Sequence, residues 1–543
     1  MERIPNYRFA TEKPDHIMVS FSGDPRTEMT VTWRQKKEIE NGFCMLYESE
    51  NATQGKKVRA VRDIFKSDVN SSSIFFARLT DLEPGKRYYY TCGDDFNTSE
   101  RFYFDTQPEN LTHFRFLAIS DHQKDTDHYN PSYAKLNKFL KKVLKENPDI
   151  KFILTAGDNT NCGQHEIQWN AMYEGMQGII EHIPYMMTCG NHDNRGMRSY
   201  FPEEEGRYYA EPAEFFNNQH RLSYPTNGPE GWQTENYSFD YGNAHFLVLG
   251  VNEPELVNDW AVKDLDKSDK TWKFGAYHFP IYYAGPNLSN DDAYPMMRPC
   301  MERLDVLFGG HEHNFSRSFP IRNEEIFDKP SQGTVHYELG NGNSNPPGTH
   351  TTFKLWHSSF YPQEEEVSAY AIIEVDGKKA SFVTRLDDGR TVDECIIDKE
   401  KDEIRPYRVA PVFGKGRTRL FYKGCDLGLC MEEIPPVCKD GKWFVPFGSL
   451  ISYIGGEAKR EKGKMTLSAY GKSAVFTAGS DIAKTDSGEV TLSAPVFYGA
   501  HNQLFVELDS ACKIFKMKWA YAKRNNFLTV ENADEGHPIP KQE

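Results

Sequence analysis

Apolar residues follow three different patterns along the chain, and the first extends from about residue 16 to residue 107. In this region short apolar and β-branched runs alternate with turn-forming residues, and no stretch has the periodicity of a long helix. Strands of this length and spacing predict an N-terminal β-sandwich. The clearest runs are MTVTW (29–33), SIFFARL (73–79), RYYYTCG (87–93) and RFYFDTQ (101–107).

The pattern changes at about residue 112, where six apolar runs have the length of buried strands. Helical stretches separate some of these runs. The first such stretch, from Tyr133 to Leu144, places its apolar residues on one face, and Asn147-Pro148 ends it. Strands that alternate with helices predict an α/β domain. The six runs are FRFLAI (114–119), KFILTA (151–156), PYMMT (184–188), HFLVLG (245–250), KFGAY (273–277) and LDVLF (304–308).

A third pattern begins after about residue 400. The run WFVPF (443–447) precedes a stretch with helical periodicity that ends at Gly455-Gly456, and the run LFVEL (504–508) precedes another. Two degenerate copies of one strand–helix–strand unit explain this repetition. The region is therefore predicted to be a small α+β repeat domain.

Composition agrees with a multidomain globular protein. The 543 residues exceed the size of a single core, and 38% of them are hydrophobic and 26% charged. No apolar run approaches the ~20 residues of a membrane helix, so no transmembrane segment is expected. The net charge of −15 argues against non-specific binding to nucleic acid or to an anionic membrane. The ten cysteines are scattered, and we expect free thiols.

The N-terminal residues MERIPNYRFATEKPDH contain no apolar segment of the kind found in secretory signals. Two locations therefore remain open. We expect a cytoplasmic protein if the sequence is complete, and a secreted or cell-surface protein if a leader has been removed.

Chemistry-bearing residues follow five of the six apolar runs of the central region. In an α/β sheet the loops at the carboxyl ends of the strands converge on one crevice. A glycine precedes three of the five clusters, where it allows close approach of the backbone. One such histidine alone would be more typical of a structural role, but five clusters in order predict a metal site. They are Asp121-His122-Gln123, Gly157-Asp158-Asn159, Gly190-Asn191-His192-Asp193, His278 and Gly310-His311-Glu312-His313.

The order Asp, Gly-Asp, Gly-Asn-His-Asp, His and Gly-His-x-His resembles the signature of calcineurin-like metallophosphoesterases. The preceding β-sandwich and the segment YSFDYGNAHF (237–246) resemble the purple acid phosphatase branch of that family, and the resemblance covers residues 16–385. The turn before the tyrosine-rich strand at Tyr88 resembles the corner of fibronectin type III-like sandwiches. The C-terminal repeat resembles the amino-terminal domain of copper amine oxidases, and nothing in it indicates copper binding.

The resemblance implies a multidomain architecture with three parts. They are a fibronectin type III-like β-sandwich (14–108), a central α/β metallophosphoesterase sandwich of two mixed sheets flanked by helices (112–390), and a copper amine oxidase N-terminal-like repeat domain (405–535). The last domain is expected to mediate surface or protein contacts.

The resemblance also implies a centre of two divalent ions, Fe, Mn or Zn. Two ions held ~3.5–4 Å apart need a bridging ligand, and Asp158 stands at the family's bridging position. His192 belongs on the substrate side, as transition-state stabiliser or general acid, and Asp193 is expected to orient its imidazole. By position, one ion takes Asp121, Asp158 and His313, and the other takes Asp158, Asn191, His278 and His311.

Two positions depart from the related families. Purple acid phosphatases have a tyrosine three residues after the bridging aspartate, and this chain has Asn161. Without a tyrosinate ligand we expect two divalent ions rather than a ferric site. Many other relatives have Asp-x-His at the first motif, where this chain has Gln123. Its amide either coordinates a metal or forms a hydrogen bond to the site, and the sequence leaves both roles open.

The predicted function is hydrolysis of a small phosphate ester, most simply a monoester, by attack of a metal-bound hydroxide. A phosphodiesterase or nucleotidase is an alternative, because fold does not select the substrate. A non-catalytic surface or scaffold protein with a phosphatase-like domain is a second alternative, although intact positions for both metals favour the enzyme.

Overall fold

The computed structural model describes residues 6–124, 129–195, 212–284, 294–345, 354, 356–363, 365–405, 417–422, 425–429, 433–522, 526–532 and 541–542. The chain divides into two compact units. The first contains nearly all of the chain up to Arg408, and the second contains Val409–Glu543 with two short segments, 323–326 and 352–358.

The N-terminal part of the first unit is the predicted β-sandwich. Two of its strands, Met29–Lys36 and Ser71–Leu79, are buried along most of their length, and there Trp33 stacks on Phe75 at a centroid distance of 5.2 Å. One sheet has the order β1-β2-β6-β5 and the other the order β4-β3-β7-β8. The strands are β1 (Asp15–Ser20), β2 (Met29–Lys36), β3 (Phe43–Tyr47), β4 (Lys56–Arg59), β5 (Val61–Lys66), β6 (Ser71–Leu79), β7 (Arg87–Gly93) and β8 (Phe102–Asp105).

The first sheet of the central domain has the order β11-β10-β9-β21-β22-β23-β24. Its β9, β10 and β11 run parallel, and β21 to β24 continue the sheet antiparallel. The strands are β9 (His113–Ile119), β10 (Ile150–Thr155), β11 (Tyr185–Met186), β21 (Ala369–Asp376), β22 (Lys379–Leu386), β23 (Thr391–Asp398) and β24 (Glu403–Arg405).

The second central sheet begins with the order β12-β13-β14-β15-β19-β16. Its β13, β14, β15 and β19 run parallel, and β12 and β16 are antiparallel to their neighbours. All six apolar runs predicted as strands of the central domain are confirmed. The strands in this order are β12 (Tyr237–Tyr241), β13 (Ala244–Leu249), β14 (Trp272–Tyr277), β15 (Val306–Gly309), β16 (Phe315–Ser318) and β19 (Val335–Leu339). Three further short strands occur in this part of the chain, β17 (Ile321–Arg322), β18 (Glu325–Ile326) and β20 (His357–Tyr361), and the first two lie in another sheet.

Aromatic side chains hold the two central sheets face to face. Phe116 on β9 stacks on Phe152 of β10 at 5.0 Å and meets Phe246, Phe274 and Phe308 of the second sheet at 5.3, 5.8 and 6.1 Å. Aromatic pairs at these separations add to the stability that area burial supplies. The face-to-face packing brings the carboxyl ends of β9, β10, β14 and β15 to one end of the domain.

Helices accompany the strands as the periodicity predicted. The first helix buries Leu136, Phe139, Leu140 and Val143, and its C-cap is Asn147. The helices of the first unit are α1 (Ala134–Glu146), α2 (Glu166–Gly175), α3 (Asn191–Asn194), α4 (Glu214–His220), α5 (Pro254–Lys267) and α6 (Tyr294–Met301).

The sandwich and the central domain share a buried ion pair. Arg34 of β2 donates to Glu166 Oε1 and Asn170 Oδ1 of α2, both at 2.7 Å, and it pairs with Asp15 at 2.8 Å. The guanidinium is 1% exposed and Glu166 is fully buried. Because an unpaired buried charge is strongly destabilising, this network fixes the N-terminal domain against α2.

The central domain extends further than the predicted boundary at residue 390. Strand β23 begins at Thr391, and β24 ends at Arg405 as the last strand of the first sheet. Ile397 and Ile404 are buried in the same core as β9 and β10. The alternation of β23 is therefore that of a sheet strand, and the boundary at 390 was set too early.

The C-terminal unit has its own apolar core and confirms the predicted repeat. One copy is β28-α7-β29 and the other is β35-α8-β36, and β28 pairs antiparallel with β35. The predicted end at residue 535 lies outside the described residues. The elements are β25 (Arg419–Tyr422), β26 (Cys425–Asp426), β27 (Val437–Lys439), β28 (Lys442–Val445), α7 (Phe447–Tyr453), β29 (Glu457–Glu461), β30 (Lys464–Ala469), β31 (Lys472–Thr477), β32 (Ile482–Thr485), β33 (Gly488–Thr491), β34 (Phe497–Tyr498), β35 (Leu504–Glu507), α8 (Leu508–Phe515), β36 (Met517–Ala522), β37 (Phe527–Asn532) and β38 (Lys541–Gln542).

Within the described ranges, no helix has both the length and the apolar character needed to cross a membrane.

Candidate metal centre

The predicted ligands follow strands of both central sheets. Asp121 follows β9, Asp158 follows β10 and Asn191 follows β11, all in the first sheet. His278 follows β14, and His311 and His313 follow β15, in the second sheet. The site is thus assembled from loops at the carboxyl ends of parallel strands in two facing sheets.

At two of the predicted glycines, an aspartate side chain of a neighbouring loop lies so close to the backbone that only glycine fits. A Cβ on Gly190 would lie 2.2 Å from Asp158 Oδ1, and a Cβ on Gly310 would lie 2.2 Å from Asp121 Oδ2. Neither separation is compatible with a side chain at these positions. The two aspartates therefore fit into their loops only because the neighbouring loop carries a glycine.

Four of the six predicted ligands have a left-handed backbone. The φ angles are +49° at Asp121, +54° at Asp158, +77° at His311 and +56° at His313. Such conformations are uncommon for residues other than glycine and cost free energy, and they cluster at functional sites. Their concentration at these four residues supports a functional role for the loops.

Asp158 lies at the centre of the site. Its Oδ2 is 3.1 Å from His278 Nε2 and 3.7 Å from His192 Nε2. Its Oδ1 accepts a hydrogen bond from the His192 amide at 2.9 Å. The ligand atoms of Asp158, His278 and His311 all lie within 4.8 Å of one another. A single buried carboxylate thus lies at the centre of a cluster of three histidines.

Asp121 faces the loop after β15. Its two carboxylate oxygens accept from the His311 amide at 2.9 and 3.0 Å, and Oδ1 is 3.6 Å from His313 Nε2. Asn191 Oδ1 lies 3.1 Å from His311 Nδ1. The structure therefore brings the six predicted ligand side chains close together, and their assignment to two ions stays a prediction.

The electrostatics of the site are those of a buried, crowded cluster. Burial opposes ionisation of Asp158, but nearby His192 and His278 hold its pKa well below the usual range. Burial raises the pKa of Asp121. Burial opposes protonation of His278, yet Asp158 raises its pKa to about 9, whereas burial and His278 lower the pKa of His311 to about 3.

Several polar atoms of this cluster fit a cation. His278 Nδ1 lies 2.8 Å from the Ala156 carbonyl, which fixes the ring with Nε2 toward Asp158. His313 Nδ1 and Gln123 Oε1 are buried without a hydrogen-bond partner. A backbone carbonyl on one ring nitrogen is the usual way to orient a metal-binding imidazole. Imidazole nitrogens with carboxylate and amide oxygens suit Zn, Fe or Mn.

Gln123 points its amide into the gap between two predicted ligands. Its Nε2 is 3.4 Å from Asp158 Oδ2 and 3.4 Å from His313 Nε2. The side chain is fully buried. Rotation of the amide by 180° exchanges its nitrogen and oxygen within the same volume, which would direct Oε1 into that gap.

His192 stands at the opening of the site, with a side chain 16% exposed. Its Nδ1 lies 2.7 Å from Asn161 Oδ1 and 3.0 Å from the Asn161 carbonyl. The Arg195 guanidinium touches the same ring nitrogen and also donates to Asn161. Burial and Arg195, against the opposing effect of Asp158, lower the pKa of His192 to about 3.

The expected role of Asp193 needs correction. Its carboxylate accepts hydrogen bonds from the backbone amides of Gly190, Asn159 and Thr160 at 2.9–3.1 Å, and from the side chains of Asn159 and Thr160. The His192 ring is held by Asn161 instead. Asp193 therefore joins the loops after β10 and β11 rather than orienting the imidazole, because its side chain turns back toward Gly190 at the N-terminus of α3.

The asparagine-rich loop after β19 supports the first ligand loop. Asn343 donates to the His122 carbonyl at 3.0 Å and Asn345 donates to the Gln123 carbonyl at 2.7 Å. The Gly342 amide donates to the Ser120 carbonyl at 2.9 Å. We did not predict this contact. The segment of the sequence concerned is Gly340-Asn341-Gly342-Asn343-Ser344-Asn345, which has no apolar periodicity. In the structure this segment is nevertheless buried.

Comparisons with known proteins agree with this geometry. Residues 114–315 match the model of the calcineurin-like phosphoesterase family, residues 14–106 match the purple acid phosphatase N-terminal domain, and residues 429–530 match the copper amine oxidase N-terminal domain. The fold is similar to that of purple acid phosphatase PPD1 from yellow lupin (Lupinus luteus) seeds, with a TM-score of 0.58 and 19% identity, covering 72% of this chain and 75% of that one.

Two relatives come from Arabidopsis thaliana. Purple acid phosphatase 15 is 24% identical over 316 residues, which are 50% of this chain and 54% of the relative. Purple acid phosphatase 23 is 25% identical over 371 residues, which are 59% of this chain and 72% of the relative. The match with the first relative thus spans about half of its length.

The central domain is thus similar to calcineurin-like phosphoesterases. Together with the sandwich that precedes it, the domain is similar to purple acid phosphatases.

Proposed function

We propose that this protein hydrolyses small phosphate monoesters with two divalent metal ions. The convergence of Asp158 and five other predicted ligand side chains, with His192 at the opening, carries the proposal. The relatives' description as phosphatases favours monoesters over diesters. When bound, the two ions would supply Lewis-acid charge and lower the pKa of water.

The residues of the site have different proposed roles in binding the ions and the phosphate. We infer that Asp121, Asp158 and His313 hold one ion and that Asp158, Asn191, His278 and His311 hold the other. His192 and Arg195 stand where a phosphate oxygen or the leaving group would enter, and Asn161 fixes both side chains. The negative phosphoryl group is thereby met by donors that are already oriented.

A matched pair of esters tests the substrate class. Metal-loaded protein is assayed with p-nitrophenyl phosphate and with bis-p-nitrophenyl phosphate, which share one leaving group, and then with nucleotides. We expect kcat/KM for the monoester to exceed that for the diester by at least about tenfold, which corresponds to about 1.4 kcal/mol in the transition state. A faster diester reaction would establish the phosphodiesterase alternative. No hydrolysis of any ester by fully metal-loaded protein would favour the scaffold alternative.

Colour provides a further prediction. Asn161 takes the place of the tyrosine of purple acid phosphatases, and its side chain is bound to His192. We therefore expect an iron-loaded sample to lack the broad visible band of a tyrosinate–ferric site. The measurement is a visible absorption spectrum, with a purple acid phosphatase as positive control. A purple preparation would show that another tyrosine reaches the metal.

We also propose that Gln123 coordinates metal through Oε1, because that atom is buried without a partner and the amide faces Asp158 and His313. Gln123→Leu should weaken one of the two ions by at least about 100-fold, since loss of a residue that merely supports a ligand typically costs about 10–100-fold. Gln123→His, which retains a ligand, should bind both ions. Affinities are measured by chelator competition. Equal affinities in Gln123→Leu and the unmodified protein would exclude coordination.

A further inference from the structure

Cys44 and Cys92 lie on adjacent strands of one sheet of the N-terminal sandwich. They stand directly opposite in the antiparallel register of β3 and β7. Both side chains are completely buried. Residues directly opposite in a sheet project to the same face, so both thiols enter the same part of the core. The proposed phosphoesterase site uses neither residue.

Hydrogen bonding identifies the kind of pair they form. The Cys92 amide donates to Ser99 Oγ at 3.0 Å, and the Cys92 carbonyl accepts from the Ser99 amide at 2.8 Å. Ser99 lies in the connection from β7 to β8, on the side of β7 opposite to β3. Because the amide and carbonyl of one strand residue point the same way, Cys44 and Cys92 are a non-hydrogen-bonded pair.

This pair type is the closer of the two in an antiparallel sheet. Its Cα atoms are about 4.5 Å apart, against about 5.5 Å in hydrogen-bonded pairs. Disulfides need Cα separations of about 4.4–6.8 Å. We propose that Cys44 and Cys92 form an intramolecular disulfide when the chain folds under oxidising conditions. The structure has both residues as free thiols, as the sequence predicted, and the proposal adds an oxidised form to this reduced one.

The reaction needs a small disulfide as oxidant, such as oxidised glutathione. One cysteine thiolate attacks it, releases one glutathione thiolate and forms a mixed disulfide. The second cysteine then attacks its partner's sulfur and releases the second glutathione. Two cysteine protons and two electrons are lost, and two glutathione thiols result. Since burial raises the pKa of both thiols and the thiolate is the nucleophile, oxidation takes place during folding.

The cross-link would stiffen the strands that contact the central domain. The next pair on the same face of the sheet is Leu46 and Tyr90. The Tyr90 hydroxyl donates to the Glu181 carbonyl of the central domain at 2.8 Å. Among the described strand pairs, no other register sets two cysteines opposite each other. The bond would thus tie β3 to the strand that supports this contact.

The test refolds the full chain in two buffers, one with a thiol reductant and one with reduced and oxidised glutathione. Free thiols are alkylated, and peptides are mapped by mass spectrometry without reduction. We expect a Cys44–Cys92 linked peptide only from the glutathione buffer. Alkylation of both residues in that sample, or linkage of either to another cysteine, would overturn the proposal.

Stability gives a second readout. The oxidised protein should melt on the order of 5 °C higher than the reduced protein, because the bond constrains the unfolded chain. Cys44→Ala should abolish this difference, and Cys162→Ala, a buried cysteine of the central domain, should keep it. If Cys44→Ala does not fold, Cys92→Ala and the peptide map of the unmodified protein decide. Neither readout depends on phosphatase activity.

Discussion

Asp158→Ala is expected to remove both metal ions from the protein and to lower kcat/KM for a phosphate monoester by at least about 10³-fold. The reason is that the carboxylate faces both predicted ion positions: His278 lies 3.1 Å from Oδ2, and Asp121 and His313 complete the other group. A metal centre contributes several kcal/mol to the transition state, and about 4 kcal/mol corresponds to about 10³-fold.

Metal content of the purified variant is the primary measurement, with circular dichroism to show that the protein is folded. His313→Ala should weaken the binding of mainly one ion, because His313 belongs to only one of the two proposed ligand groups. Asp149→Asn is the control for removal of an aspartate, since Asp149 pairs with Arg115 at the protein surface. Two tightly held ions in folded Asp158→Ala would overturn the assignment of Asp158 as the shared ligand.

The ligand set could be predicted from the sequence because each ligand directly follows a strand. Short buried runs are visible in the apolar pattern, and the position after such a run is fixed at the carboxyl end of a strand. Asp121, Asp158 and His278 therefore needed no tertiary information beyond the convergence of strand ends. The glycine before Asn191 was predicted to permit close approach, and the 2.2 Å clearance at Gly190 gives the reason.

Contacts between side chains of different loops could not be predicted in the same way. Asn161 was noted only for the tyrosine it replaces, yet its side chain fixes His192. Asp193 stands next to His192 in sequence, but one turn of α3 directs its carboxylate to Asn159 and Thr160 instead. Neighbours along the chain differ in direction by about 100° on a helix. Adjacency in sequence is therefore a poor guide to which side chain orients an imidazole.

The sequence also did not show whether the strands that precede the ligands belong to one sheet or to two. Apolar runs indicate strands but carry no information on which runs share hydrogen bonds. The phenylalanines of β9 and β10 that pack against β13, β14 and β15 bring the two sheets into register. These long-range aromatic contacts pack the two sheets together and thereby place Asp158 close to His278.

His192→Ala is expected to reduce kcat/KM far more for an alkyl phosphate than for p-nitrophenyl phosphate. An alkoxide is a strong base that leaves poorly without a proton, whereas nitrophenolate is a weak base that leaves readily. General acid catalysis typically contributes about 10²–10⁴-fold, or about 3–5 kcal/mol at 1.36 kcal/mol per decade. The alkyl ester should lose most of this amount, provided that chemistry limits both rates.

The protonation of His192 is the critical step of this argument. Burial and Arg195 lower its pKa to about 3 in the protein alone, so the ring is neutral near pH 7. A bound phosphate dianion acts in the opposite direction, because negative charge nearby favours the imidazolium. The two oxygens of Asn161 near Nδ1 favour a proton on that nitrogen, whereas the Arg195 guanidinium, which can only donate, favours a lone pair there. In both cases the proton available for transfer is the one on Nε2, the nitrogen nearer Asp158.

Asn161→Ala provides the matched comparison, since it leaves His192 in place and removes its side-chain hydrogen-bond partner. It should show the same leaving-group dependence with a smaller loss. Metal content should stay near that of the unmodified protein in both variants, because neither side chain is assigned as a ligand. Equal losses on the two esters would assign His192 to electrostatic stabilisation of the phosphoryl oxygens. Loss of metal from His192→Ala would show that the histidine is a metal ligand. This is the main alternative to a role as general acid, because His192 Nε2 lies 3.7 Å from Asp158 Oδ2.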